Sequence, residues 1–183
     1  MTVRTNQLMD KYLSRIDYNF WDKTITLPKD LERIVDSEFI IDNDCIVLKE
    51  VGNIKANPQF DTNLKKCEWE DFETHFHPDS YIDTENEFEY LKLALECGKR
   101  LTRRFEKEFK DKNFRLLISF SETEIIDGEI ESYGSSTVRF YQIRQDCENI
   151  MKSENLDDFK FEAVLEIEKT AGNMGFAAML ADE

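Results

Sequence analysis

Small and cyclic residues are scarce in this chain. Only three of its 183 residues are Pro and six are Gly, which excludes a linker-rich or low-complexity protein. No stretch approaches the roughly 20 apolar residues of a membrane span. The opening MTVRTNQLMDKYL holds no apolar run of signal-peptide length. Phosphate-cradling patterns are missing too: there is no GxxxxGK[ST], no GxGxxG and no G-x-S-x-G, so NTPase, dinucleotide and α/β-hydrolase chemistries have no positive support. Four cysteines, Cys45, Cys67, Cys97 and Cys147, are widely spaced and form no C-x-x-C pair. With no export signal, buried free thiols and a cytoplasmic location are expected.

What the chain has in plenty is acid. Lys and Arg number 24 against 39 Asp and Glu, for a net charge of −15. Such a field repels nucleic acid and anionic membranes and attracts a basic partner. The charge is uneven: residues 1–67 carry −1, 68–91 carry −9 with no Lys or Arg, 92–118 carry +5, and 119–183 carry −10. Length and the 14 Phe suit a single domain over 1–183 with a core of its own.

Periodicity predicts the elements. Thr5 to Ile16 is amphipathic, with Leu8, Tyr12 and Ile16 at i+4 spacing. Thr24–Leu27 alternates like a short strand, and PKDLERIV opens a helix on Pro28. Two apolar runs around Asp42-Asn43-Asp44 predict a hairpin. Residues 52–66 read as loop. From 67 to 83 the pattern is ambiguous: Trp69, Phe72 and Phe76 suit a helix ended by Pro78, while Phe72, Thr74 and Phe76 also suit a strand. The clearest element is a helix over about 84–111, with an apolar stripe Phe88, Leu91, Leu95, Gly98, Leu101, Phe105 and Phe109 and a capping box from Thr84 and Glu87. FRLLISF (114–120) predicts a central strand. After a turn-rich insert, TVRFYQI (137–143) and FEAVLEI (161–167) predict two more, the last with Phe161, Ala163, Leu165 and Ile167 inward. Residues 146–152 suit a short helix or loop, and 170–183 a flexible tail. The fold class expected is α+β, an antiparallel sheet with the long helix packed on one face.

Candidate chemistry centres on EDFETHFHPDSYIDTE (70–85), which holds both histidines of the chain. On a strand, His75 and His77 point to one side and could join Asp79, Asp71 or Glu73 as ligands to a transition metal. On a helix they diverge, and two loop histidines tuned by nearby carboxylates are the plainer reading. The basic residues Lys99, Arg103, Lys107 and Lys110 share a helix face, read as a solvated face that pairs with acids of the same chain, Glu96–Arg100 among them. No cysteine nucleophile has local support, and the carboxylate pairs are undiagnostic in so acidic a chain. A surface reading remains: residues 68–91 and 119–135 mix acids with Trp69, Phe72, Phe76, Tyr81 and Tyr133. Aromatic anchors among acids suit capture of a basic protein. Trp69, Asp71, Phe72, Glu73 and Tyr81 are the expected partner-binding residues. The competing account makes the aromatics core.

The segments RFYQIR (139–144) and ENLDDFKFEAVLEIE (154–168) resemble small bacterial proteins of unknown function. In size and acidity the chain is also similar to immunity proteins that neutralise bacterial toxins. That likeness implies a toxin partner, often a basic nuclease, held by an acidic face. The function expected is therefore a protein-binding one that needs no cofactor, with a metal-dependent enzyme built on His75, His77 and Asp79 as the alternative.

Overall fold

The computed structural model describes residues 1–16, 24–51, 60–145, 147 and 155–172. Its elements run β1 (Thr2–Thr5), α1 (Gln7–Arg15), α2 (Lys29–Val35), β2 (Phe39–Asp42), β3 (Cys45–Leu48), α3 (Asn63–Glu73), α4 (Phe88–Glu108), β4 (Asn113–Ser121), β5 (Glu124–Ile126), β6 (Glu129–Ser132), β7 (Ser135–Ile143) and β8 (Ala163–Lys169). Single 3-10 turns cover Pro78–Tyr81 and Leu156–Asp158. The fold is α+β: among the described residues, four helices accompany a four-stranded antiparallel sheet in the order β1-β8-β4-β7.

The run FRLLISF becomes β4, which sits inside the sheet because both its faces are buried. Phe114, Leu116, Ile118 and Phe120 face the main core, and register places Leu116 beside Phe140 and Ile167, and Ile118 beside Val138 and Leu165. The 21-residue helix α4 packs on this face. Gly98 makes the close approach possible: a Cβ there would lie 2.5 Å from Ile118 Cδ1. The opposite face carries a charged ladder across all four strands. Arg4 meets Glu166 at 2.9 Å, Arg115 meets Glu168 at 2.7 Å and donates to the Tyr141 hydroxyl at 3.1 Å.

Several expectations need correction. Helix α4 begins at Phe88, not near 84, and Glu87 caps nothing; its carboxylate is engaged by Thr123. Lys99 is fully buried, not solvated, and pairs with buried Glu96 at 2.6 Å. The reason is that α4 is covered on both sides: the sheet lies on one, while α2 packs on the other and the Ile25 N–H donates to Glu96. Lys107, Arg103 and Lys110 are exposed as expected, and the Glu96–Arg100 pair forms at 3.2 Å. Thr24–Leu27 is not a strand, and Asn63–Lys66 is helix where loop was expected. Phe161 precedes β8 and is 87% exposed, the reverse of the inward position its alternation suggested. Cys67 and Cys147 are not free but form a disulfide across 80 residues, while Cys45 and Cys97 are buried free thiols. The expected tail from 170 and the expected element at 146–152 lie mostly outside the described residues. No helix among the described residues is long and apolar enough to cross a membrane.

Candidate functional site

Two surface regions answer to the sequence reading. The first is the 69–81 segment laid along β7. Helix α3 ends at Thr74, whose buried hydroxyl donates to the Phe140 carbonyl and accepts the Phe140 N–H. The chain then runs extended, and Phe76 forms a two-way backbone bridge with Val138. Each reading of 67–83 is therefore met only in part: the helix stops at Glu73, short of the expected end at Pro78, and the strand-like pairing is the single bridge at Phe76. Phe76 points into the core and His75 and His77 point out, as period-2 alternation requires.

The two imidazoles lie with ring centroids 4.6 Å apart. Partial burial holds His75 below the ordinary histidine range, and the neighbouring charges of His77 and Arg139 push it the same way. Asp71, on α3, pairs with Arg139 at 3.3 Å. Burial pushes the Asp71 carboxyl up against the pull of Arg139, and its buried Oδ1 accepts no hydrogen bond among the described residues. Asp79 sits 3.8 Å from His77 Nδ1, but its Oδ1 accepts the Ser136 N–H at 2.8 Å and the Ser136 hydroxyl at 3.2 Å. No group of three or more His, Cys, Asp or Glu among the described residues is arranged to hold a metal ion.

Of the expected partner-binding residues, Phe72 is 75% exposed and available as an anchor. Trp69 is half-buried against Phe60 at 5.6 Å, and Tyr81 packs on the main core. Asp71 is engaged by Arg139, and Glu73 is half-buried beside it on α3.

Below α3 lies a buried polar knot that the sequence reading missed. Glu70 is fully buried and accepts from Ile46 N–H (2.6 Å), Gln142 N–H (2.9 Å) and both terminal nitrogens of Arg144 (2.7 and 2.9 Å). Arg144 also donates to the Asp44 carbonyl and reaches the Asp44 carboxylate at 3.4 Å. This knot ties α3, the β2–β3 hairpin and β7 together. It is structural, since Glu70 is sealed from solvent.

The second region is the end of the molecule beyond β4. The β5–β6 hairpin turns on Asp127 and Gly128, both at positive φ, the geometry of a tight hairpin turn. Its base is clamped: the Glu87 carboxylate accepts the Thr123 N–H at 2.8 Å and the Thr123 hydroxyl, while Gly134 N–H donates to that hydroxyl oxygen at 2.8 Å. Buried Asn6 caps α1 through Met9 N–H, accepts from Val164 N–H, and donates to the carbonyls of Phe159 and Glu162. Asn6 thereby fixes the turn that carries Phe161. Between hairpin and turn, Tyr12 packs edge-on to Phe88 and Phe120, at 5.5 and 5.4 Å. Burial and its hydrogen bond to Glu122 push the Tyr12 phenol up to about 12. On this end Ile125, Ile126, Ile130, Tyr133 and Phe161 are all exposed. Only Tyr133 was singled out from sequence. The three isoleucines could have been found as apolar residues flanked by acids, Ile125-Ile126 between Glu124 and Asp127 and Ile130 between Glu129 and Glu131.

A family model covers residues 4–175, almost the whole chain. The chain belongs to the uncharacterized protein PM0498 family. Family membership agrees with the resemblance to small proteins of unknown function. No curated protein and no solved structure matches the chain.

Proposed function

We propose that this member of the PM0498 family is a binding protein that recognises a basic protein partner through an acidic surface set with apolar side chains. One observation carries the reading. The end formed by residues 122–133 and Phe161 exposes five large apolar side chains, while residues 116–138 hold five carboxylates and no Lys or Arg. Clustered exposed apolar residues mark interaction sites. Acids around them steer a basic partner and disfavour phosphate backbones and anionic membranes. The likeness to toxin-immunity proteins points to the same pairing of acidic binder and basic target. Phe72 and Glu68, one turn apart on α3 and both exposed, supply a second, smaller patch of similar character.

The test is affinity capture at low salt from the source organism, followed by calorimetry with the purified partner. Wild type is compared with an Ile126→Ser/Ile130→Ser variant and with His75→Ala/His77→Ala. The reading expects a basic partner that is released by salt, is lost with the isoleucine variant and is kept by the histidine variant. Recovery of no basic protein, or loss confined to the histidine variant, overturns it; the latter outcome revives chemistry at His75 and His77.

A further inference from the structure

We infer that the cleft between the β5–β6 hairpin, α1 and the Lys160–Glu162 turn receives an extended basic segment of the partner. A Lys or Arg side chain of that segment seats on Glu122, Glu124 and Glu162, and its apolar neighbours lie on Phe161 and the hairpin isoleucines. This rests on the protein-binding reading above and adds the docking segment and its chemistry.

Four observations converge. The cleft has a volume of about 450 Å³ and is lined by Tyr12, Glu122, Glu124, Phe161 and Glu162, within the range of ligand-sized sites. The chain shows what Glu122 accepts, because the Arg15 guanidinium stands 3.3 Å from it and 4.5 Å over the Phe88 ring. Glu124 and Glu162 line the same cleft and have no ion-pair partner among the described residues; Lys160 is the one base lining it. Finally, β5 and β6 pair only with each other among the described strands. A two-stranded ribbon is marginal alone, and its outer edges offer unpaired backbone groups to a third strand. Charge complementarity chooses the occupant. A second copy of the chain, at net charge −15, brings like charge to like, and so does a nucleic acid. A basic strand with apolar side chains satisfies the carboxylates, the isoleucines and the free edge together.

The test titrates the isotope-labelled full chain with three synthetic 12-residue peptides: alternating Lys and Val, oligolysine, and alternating Glu and Val. Amide shifts from the Lys–Val peptide are expected to concentrate at residues 122–133 and 160–162. Its affinity should exceed that of oligolysine and fall about tenfold or more in Glu124→Lys and in Ile125→Ser/Ile130→Ser, the loss typical of a binding anchor. These side chains are exposed, so the variants keep the wild-type spectrum elsewhere. Shifts confined to 69–81 overturn this inference and leave the protein-binding reading standing. Equal binding of oligolysine overturns the apolar role, and concentration-dependent dimerisation through 122–133 shows that a second copy is the occupant. If no basic peptide binds while the captured partner does, the docking mode is wrong and the function is not.

Discussion

Replacing Glu70 by Gln tests whether the buried knot holds the frame. The carboxylate receives four donors, two on each oxygen: Ile46 N–H and Arg144 Nη2 on Oε1, Gln142 N–H and Arg144 Nη1 on Oε2. Gln keeps the shape but only one acceptor oxygen, so its amide nitrogen faces two buried donors that lose their partner. Each orphaned donor costs about 1–3 kcal/mol, and breaking a buried ion pair from one side costs about 3–5 kcal/mol. The two routes agree on about 4 kcal/mol, a large share of the roughly 5–15 kcal/mol of a folded domain. In a chain of this length that lowers Tm by about 10 °C. Chemical denaturation followed by circular dichroism measures it, with an unchanged m value as the check that both end states persist. Hydrogen exchange adds a local readout, because Ile46 N–H should lose protection first. Glu70→Leu and Arg144→Met should each cost about as much, and the Glu70→Leu/Arg144→Met double variant less than these two single changes together, since removing both charges leaves no unpaired ion. A loss below about 1 kcal/mol for Glu70→Gln, against the 3–5 kcal/mol expected of a broken buried pair, would refute the assignment of Glu70 as a desolvated, fully bonded carboxylate.

Other expectations follow from the same geometry. Gly98→Ala puts a methyl group against Ile118 and Leu116 and should destabilise by about 1–3 kcal/mol as overpacking; stability equal to wild type would mean the helix can lift from the sheet freely. In an NMR titration His75 should lose its proton below the ordinary histidine range, and His77→Ala should raise that midpoint, because the charge on His77 is one of its causes. A histidine depressed in the folded state contributes stability that is present above its unfolded pKa and is lost as pH falls through its folded one, so His75 should make the protein less stable on acidification. A midpoint that ignores His77 would show that the rings do not interact. Thiol titration of the denatured, unreduced protein should find two reactive cysteines and then four after reduction; four at the outset would show Cys67 and Cys147 unbridged.

The parts of the fold legible in sequence are those whose cause is local. The apolar stripe of α4, the unbroken apolar run of β4 and the Asp42-Asn43-Asp44 turn each carry their own signal. What escaped depends on partners far along the chain. Strand β1 has four residues and exists because Thr2–Thr5 pair with Leu165–Glu168. Glu87 leaves its expected capping role because Thr123, 36 residues on, offers two hydrogen bonds. Lys99 looks like part of a basic face until Glu96, one turn back, and the covering of α4 from both sides are known. The motif EDFETHFH held a signal for both kinds of residue at once: Glu70 and Thr74 are anchors of the frame, while Phe72, His75 and His77 reach solvent. Of the proposed docking end, the acids and Tyr133 were visible, but the exposure of Phe161 was hidden because its alternation continues that of β8.

The charges of this protein divide into two populations, and salt should separate them. Glu70–Arg144 and Glu96–Lys99 are buried pairs, little screened by ions, whereas Glu68, Asp83, Glu85 and the acids of 124–131 are open to solvent, where salt screens them over a Debye length of about 10 Å at 0.1 M. The open acids repel one another at a net charge of −15, which opposes the compact state. Raising sodium chloride from about 0.05 to 0.5 M should therefore leave Tm unchanged or raise it, while partner binding weakens many-fold as steering is screened. A Tm that falls over that range would mean that exposed ion pairs, and not the buried ones, hold the frame. The carboxylates assigned to recognition would then be structural, and the division between scaffold and surface would fail.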